Sequence, residues 1–269
     1  MQVYRYLDVG SGKPSLEEQK SVVHHLIDIV DPDYSFTAGE FCREALKACD
    51  EIRGKGKIPL IVGGTGLYLD SFFQGLSDIP DIDPEVKALI QADLEKNGID
   101  ELYRELSVCD PVFASRIHPH DRQRILRGLE VFRCLGKPIS GFYGTKRGYD
   151  SESTLYIGLE RDREELRGVI DHRVVSMMEA GFVDEVSTLR ERGFGPELNS
   201  MRSIGYLRIN EYLDGIRGLD ETVELIKTDT KKYAKRQMTW FRKNKRIRWF
   251  HPEEGGTLKQ IIEEWSMSY

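Results

Sequence analysis

Three features are missing from this sequence, and each absence excludes a class of protein. No apolar run approaches the roughly 18 residues that a membrane-spanning helix needs, and residues 1–5 have neither the basic nor the apolar region of a signal peptide. The four cysteines form no C-x-x-C pair, so we expect reduced thiols rather than disulfides or a zinc site. These absences predict a cytoplasmic protein.

A complete phosphate-binding loop is also missing. Gly10-Ser11-Gly12-Lys13 resembles one, but the pattern G-x-x-x-x-G-K-[ST] needs Gly at position 7 and Ser or Thr at position 14, where this chain has Leu7 and Pro14. We therefore predict no P-loop within these 269 residues. The histidines at 24, 25, 118 and 120 lack carboxylate or cysteine partners at ligand spacing and are interpreted as structural.

Acidic residues are absent from one long C-terminal segment. The whole chain has a net charge of −6, yet residues 230–250 contain nine Lys or Arg and no Asp or Glu. At helical spacing, one side of this segment carries Lys231, Lys232, Lys235, Arg236, Arg242 and Lys243. Such a stripe, with no acidic neighbour in its own segment, is expected to bind RNA phosphates. A merely solvated helix is the alternative.

The order of apolar runs predicts an α/β fold with a parallel sheet. The strands or extended segments are expected at 26–30, 58–62, 155–159 and 248–250. The continuous apolar run 58–62 is typical of a strand covered on both faces. Thr37 and Glu40 predict a capping box at the start of a helix.

The middle of the chain has a helical pattern without strands. From residue 79 to 150 several helical patterns follow one another, and no convincing strand interrupts them. We therefore predict a helical insertion domain at 79–150 and a core domain formed by 1–78 and 151–269.

Two short segments are candidates for chemistry. Gly63-Gly64-Thr65-Gly66 follows a predicted strand and precedes a helix, a position where α/β proteins bind ligands, although it could equally be a tight turn with a capping Thr. In the helix that follows Asp121, the residues Gln123, Arg124 and Arg127 share one face, opposite Ile125 and Leu126. Arginine suits phosphates and glutamine suits an adenine edge, but a solvated polar face is the alternative.

Seven segments, taken in order, resemble the tRNA dimethylallyltransferase family over essentially the whole chain. Each is weak alone, and their order makes the resemblance specific. They are Gln2–Arg5, His24–Asp28, Gly63–Tyr68, Arg116–Pro119, Asp121–Arg127, Arg202–Tyr206 and Ala234–Trp240.

The resemblance implies a P-loop-kinase-like parallel sheet with a helical insertion domain that binds the tRNA anticodon loop. It implies transfer of a dimethylallyl group from dimethylallyl diphosphate to N6 of adenosine 37, in tRNAs that read codons beginning with U, with Mg²⁺ as cofactor and the protein as a monomer. Thr65 is then expected beside the reacting amine, and Arg202 faces the diphosphate. The tRNA-binding residues it implies are Met1, Gln2, Lys87, Gln123, Arg124, Ile125, Leu126, Arg127, Lys235, Arg236 and Arg242.

This sequence departs from the family's pattern at its first residues. In the family, an Asp-Ser pair precedes the segment that begins at Met1, and that Asp is the proposed general base; the P-loop lies further upstream. We therefore expect weak or no transferase activity from the chain as it stands. Three hypotheses remain open at this point: an active transferase whose sequence is incomplete, a catalytically inactive tRNA-binding remnant, and a P-loop-type small-molecule kinase relative.

Overall fold

The computed structural model describes residues 1–77, 79–143, 148–149 and 153–267, and most of them are helical. The chain divides into two compact units, Met1–Phe72 with Asp150–Tyr269, and Phe73–Tyr149. The α-helices are α1 (Leu16–Ser21), α2 (Ala38–Gly54), α3 (Gly66–Gln74), α4 (Pro84–Cys109), α5 (Pro111–Ala114), α6 (Arg122–Leu135), α7 (Arg163–Glu179), α8 (Phe182–Glu191), α9 (Tyr206–Leu213), α10 (Leu219–Phe241) and α11 (Gly255–Met267). Short 3₁₀ helices occupy Ile139–Phe142 and Ser200–Arg202.

The sheet of the described residues is small and parallel. Strand β1 (Ile157–Leu159) pairs with β2 (Arg248–Phe250), in the register Ile157 to Arg248 and Leu159 to Phe250. A single parallel bridge also joins Tyr4 to Val30. The predictions of strands near 155–159 and 248–250 are therefore confirmed. The prediction for 26–30 is corrected: Val30 forms a bridge, but Leu26 and Asp28 have φ angles of 62° and 54°, so the segment is bent rather than extended.

The segment 58–62 corrects the predicted α/β core. It pairs with no strand in the described part of the chain, and the side chains of Leu60 and Val62 are 82% and 83% exposed. A strand is stable only when a neighbour accepts its backbone hydrogen bonds and another layer covers its side chains. Neither condition is met here, so an apolar sequence alone does not make this segment a strand.

The core of the first unit forms where helices α7 to α10 pack around the N-terminal segment. Leu7 is completely buried in it, and so is Tyr206 at the start of α9. The buried members are Tyr4, Leu7, Val174, Phe182, Val186, Leu189, Met201, Tyr206, Ile209 and Ile226. Each large side chain of this kind stabilises the fold by about 1.5–3 kcal/mol through burial.

Local sequence explains how several helices begin. Thr37 caps α2 through its hydroxyl, which accepts from the Glu40 amide at 3.2 Å, while Glu40 accepts from the Thr37 amide at 2.8 Å. This confirms the predicted capping box. Helix α4 begins at Pro84, with the Asp83 carboxylate accepting from the Glu85 amide. Helices α1, α9 and α11 had no counterpart in the sequence-based prediction.

The second unit is a small helical body. Helix α4 is kinked at Gly98, which has a φ of 79°, and packs against α5 and α6. Its core contains Ile90, Leu102, Leu106, Ala114, Ile125 and Leu129. The buried Asp110 carboxylate accepts from the Phe113 amide and from the Ser140 amide, both at 2.9 Å. This carboxylate ties α5 to the 3₁₀ helix at Ile139–Phe142.

Across residues 1–77, 79–143, 148–149 and 153–267, every helix is too short or too polar to cross a lipid bilayer.

Candidate functional site

The glycine turn at 63–66 is fastened to helix α10. The Gln237 side-chain amide donates to the Gly64 carbonyl at 2.9 Å, and the Trp240 indole N–H donates to the Asp70 carboxylate in α3 at 2.8 Å. A Cβ on Gly64 would lie 2.0 Å from Gln237 Nε2. A side chain at position 64 would therefore displace the Gln237 amide from this hydrogen bond, a contact that the sequence did not reveal.

Thr65 is an exposed residue of this turn. Its carbonyl accepts from the amides of Tyr68 and Leu69 at 3.0 and 3.2 Å, which places it at the start of α3. Its hydroxyl makes no hydrogen bond to any residue that the structure describes. The backbone of Thr65 is thus fixed by α3, while its hydroxyl is open to a ligand.

Tyr68 fixes the same turn from the side of α2. Its ring stacks on Phe41 with the centroids 4.8 Å apart, and its hydroxyl donates to the Phe36 carbonyl at 3.2 Å. Burial raises the pKa of Tyr68 above its usual value, and the neighbouring Tyr4 and Glu40 act in the same direction. The turn is therefore held by α2 on one flank and by α10 on the other.

The N-terminal segment is built around Lys13. Its side chain is only 5% exposed, and its ammonium contacts the carboxylates of Asp8 and Asp28 at 2.5 Å each. It also donates to the Tyr4 carbonyl at 3.0 Å. Lys13 is therefore enclosed by the protein, consistent with the rejection of Gly10–Lys13 as a P-loop.

Gln2 lies on this segment in a defined orientation. Its side-chain Nε2 donates to the Gly12 carbonyl at 2.8 Å. Met1 lies beside it, partly exposed, and its carbonyl accepts from the Tyr4 amide at 3.0 Å.

Arg202 closes a rigid 3₁₀ turn. The buried Ser200 hydroxyl donates to the Pro32 carbonyl at 2.6 Å, and the buried Asn210 amide donates to the Met201 carbonyl at 3.3 Å. Arg202 itself is exposed and donates to the Pro196 carbonyl at 3.4 Å, without an ion pair to any described residue. A cation on an anchored turn suits an anionic ligand such as a phosphate.

Several cations on the basic side of α10 form ion pairs with acidic side chains outside residues 230–250. Lys231 pairs with Asp171 at 2.5 Å, Lys232 with Asp229 at 3.7 Å, and Arg242 with Glu160 at 3.1 Å. The acidic partners lie mostly on other elements, and residues 230–250 alone could not reveal them.

Lys235 and Arg236 remain available on α10. Lys235 has no ion pair with the described residues, and the Arg236 guanidinium lies 5.7 Å from the Tyr233 ring centroid. Lys235 lies two residues before Gln237, or roughly 200° around the helix. Lys235 therefore points away from the face that contacts the glycine turn.

In the second unit, α6 carries the predicted polar face. Gln123 and Arg124 are exposed; Arg124 pairs with the capping Asp121 at 2.5 Å, and Arg127 pairs with Glu130 at 3.4 Å. Lys87, near the start of α4, is exposed.

Ile125 corrects the surface implied by the resemblance. It is completely buried in the core of this unit, and Leu126 is half-buried against the same core. Their position follows from the apolar side of α6, which must pack on α4. Ile125 therefore supports the polar face from beneath and cannot contact RNA with its side chain.

The resemblance also implies Mg²⁺. The part of the chain that the structure describes contains no group of three or more His, Cys, Asp or Glu side chains placed to hold a metal ion. Mg²⁺ in phosphate-binding enzymes is held by one or two carboxylates together with the substrate.

Comparison with known proteins agrees with the family that the motifs suggested. Residues 2–244 match the model of the family described as IPP transferase. A tRNA dimethylallyltransferase 2 of Geotalea uraniireducens is 47% identical over 266 residues, which cover 98% of this chain and 86% of that protein. The tRNA dimethylallyltransferase of Geobacter sulfurreducens is 45% identical, over 93% of this chain and 80% of its own length.

Solved structures are similar as well. The tRNA isopentenylpyrophosphate transferase of Staphylococcus epidermidis aligns with a TM-score of 0.69 at 33% identity, over 100% of this chain and 89% of that one. A eukaryotic dimethylallyltransferase acting on tRNA aligns with a TM-score of 0.75 at 31% identity, over 90% and 61% of the two chains. The chain therefore belongs to the IPP transferase family and is a transferase of the tRNA dimethylallyltransferase type.

Proposed function

We propose that this chain transfers a dimethylallyl group from dimethylallyl diphosphate to N6 of adenosine 37, in tRNAs that read codons beginning with U. Family membership supports the reaction class. The single structural observation that carries the proposal is the Thr65 hydroxyl, which is exposed and without a hydrogen-bonding partner among the described residues, on a turn fixed by α3 and Gln237.

The chemistry needs a positioned amine and a stabilised leaving group. N6 attacks the allylic carbon as the carbon–oxygen bond to the diphosphate breaks; the bonding electrons leave with the diphosphate, and the departing diphosphate accepts the proton that N6 loses. The Thr65 hydroxyl accepts a hydrogen bond from the amine and fixes its lone pair towards that carbon. Arg202 neutralises the charge that develops on the leaving diphosphate.

The RNA is held by cations and by a glutamine. Adenosine must leave the stacked anticodon loop before its amine can enter a closed pocket. Met1 and Gln2 receive the adenine. The anticodon loop is gripped by Lys87, Gln123, Arg124 and Arg127, with Ile125 and Leu126 as their apolar support, and the phosphates are held by Lys235, Arg236 and Arg242.

The proposed function also implies a P-loop-kinase-like fold. The parallel pair β1–β2 and the Tyr4–Val30 bridge are parts of a P-loop-kinase-like sheet, and Phe73–Tyr149 is its helical insertion that binds the anticodon loop. The support is the parallel pairing and the 31–34% identity to solved transferases of this family.

The proposal is tested by transfer of a labelled dimethylallyl group to an anticodon stem-loop with adenosine at position 37. Thr65→Val should lower kcat by about 10²-fold with little change in KM, because the lost contact orients the amine. Thr257→Val, at an exposed position of α11, is the matched control and should leave kcat unchanged. Binding of the stem-loop by the unmodified chain without any transfer would instead indicate a tRNA-binding remnant.

A further inference from the structure

The carboxylate of Glu185 in α8 occupies a cradle of backbone amides. The amides of Asp8 and Val9 donate to its Oε2 at 3.0 and 2.6 Å, and the Gly10 amide donates to Oε1 at 3.2 Å. Successive amides of this kind bind anions. Here the anion is a side chain more than 170 residues away along the chain.

Tyr206 completes the cradle. Its hydroxyl donates to Glu185 Oε1 at 2.6 Å, and burial, together with the charge of Glu185, raises the pKa of Tyr206. The packing leaves no room for a side chain at position 10, because a Cβ on Gly10 would lie 2.2 Å from the Phe182 ring and 2.6 Å from the Tyr206 ring. Because the Glu185 carboxylate is ionic, its charge-assisted hydrogen bonds are stronger than neutral ones.

The loop that Glu185 holds is closed on itself. The Gly12 amide donates to the Val9 carbonyl and the Lys13 amide donates to the Asp8 carbonyl, both at 3.1 Å. The Ser11 hydroxyl donates to the Leu7 carbonyl at 2.6 Å. Residues 8–13 therefore move as one piece, and the Gly12 carbonyl takes its position from Glu185.

Gln2 is the group that depends on that carbonyl. One N–H of its amide is taken by Gly12, which fixes which end of the amide is nitrogen. The other N–H and Oε1 remain, and this donor–acceptor pair matches the N7 acceptor and N6 donor of an adenine edge. An amide held in this orientation cannot turn over to accept a base that carries an oxygen at position 6.

We propose that Glu185 is a positioning residue for base recognition: by holding the amides of residues 8–10 it fixes the Gly12 carbonyl, and through it the orientation of the Gln2 amide that selects adenine over a 6-oxopurine. This rests on the proposed function, in which Gln2 receives adenosine 37. It gives a role to the Gly10–Lys13 and Gly205-Tyr206 segments, which the reaction itself does not use.

The test compares the dissociation constants of two anticodon stem-loops that differ only at position 37, one with adenosine and one with inosine. The wild type should prefer adenosine by about tenfold or more. Glu185→Gln turns an N–H group towards the loop amides and should abolish most of that preference. Glu191→Gln makes the same change of charge at an exposed position of α8 and should keep it.

A double-mutant cycle shows whether the effect passes through Gln2. Gln2→Ala should lose the preference, and adding Glu185→Gln to it should cause no further loss, because the two changes act on one contact. Hydrogen exchange provides a second measurement: the amides of Val9 and Gly10 should exchange faster in Glu185→Gln and remain protected in Glu191→Gln. Should Glu185→Gln fail to fold, Tyr206→Phe removes one donor of the cradle and should show a smaller loss of preference.

A wild type that binds both stem-loops equally, a Glu185→Gln variant that retains the preference, or independent effects of the two substitutions would each overturn the proposal. Binding is measured without turnover, so these outcomes are separate from those of the transfer assay. A chain that selects adenosine but transfers nothing contradicts the proposed reaction and leaves the role of Glu185 supported.

Discussion

Trp240 lies so close to Gly66 that a Cβ on the glycine would be 2.4 Å from the indole Cδ1. This contact joins α10 to the first residue of α3, immediately after Thr65. The helix whose cations are proposed to bind RNA is thereby in direct contact with the turn on which the reactive amine is expected.

Gly66→Ala should destabilise the protein and lower the transfer rate. Ala favours a helix over Gly, so any loss must come from the displaced indole, at a cost of about 1–3 kcal/mol. Gly63→Ala is the control, because a Cβ there meets no atom within 4 Å. Urea unfolding measures the difference, and equal stability of the two variants would show that the indole moves freely.

Lys235→Ala should weaken tRNA binding more than Lys231→Ala does. Lys235 has no acidic partner among the described residues, whereas Lys231 already pairs with Asp171 at 2.5 Å. The slope of log K against log salt concentration should decrease in magnitude by about 1 for Lys235→Ala. If Lys231→Ala changes the slope as much, the Lys231–Asp171 pair must open when RNA binds.

Ile125→Ala should unfold the helical unit rather than remove an RNA contact. Its side chain is completely buried, so truncation leaves a cavity that costs about 2–5 kcal/mol. Leu89→Ala, at a position that is 64% exposed in α4, should cost far less. Thermal unfolding compares the two variants, and a stable Ile125→Ala variant with weakened tRNA binding would contradict this assignment.

Because Tyr206 is buried, we expect the free energy of unfolding to fall at alkaline pH. Burial raises its folded-state pKa, so the folded protein favours the protonated phenol. This contribution is complete below the unfolded pKa of about 10 and is lost as the pH rises above that value. Tyr206→Phe should reduce the fall in unfolding free energy between pH 9 and 11, while Tyr212→Phe, the control, should not. Parallel pH profiles for the wild type and Tyr206→Phe would refute this coupling.

The sequence predicted those features whose causes lie close together along the chain. The Thr37–Glu40 capping box and the polar face of α6 each depend on residues a few positions apart. The ion pairs of Lys231 and Arg242 on α10 were not foreseen, because Asp171 and Glu160 reach them from other elements. The prediction of a strand at 58–62 was wrong for a similar reason. A strand forms only with a hydrogen-bonded partner, and the residues of 58–62 do not specify one.

In the candidate site, too, features with local causes could be predicted and contacts between distant residues could not. Gly64 and Thr65 could be marked from their pattern, but the clamp by Gln237 and Trp240 spans about 170 residues of sequence and has no local signal. Gln237 and Trp240 both belong to the segment Ala234–Trp240 that resembles the family, but nothing in the sequence indicated that they contact the turn. The cradle of Glu185 was missed because a single Glu in an amphipathic helix is ordinarily a solvated residue.

The enclosure of Lys13 makes this residue a built-in chemical reporter. Acylating reagents attack an accessible amine, and the Lys13 amine lies between two aspartates with almost none of its side chain exposed. In mass spectrometry after brief labelling, Lys235 should be modified and Lys13 spared. Modification of Lys13 would then mark the moment when the N-terminal loop opens.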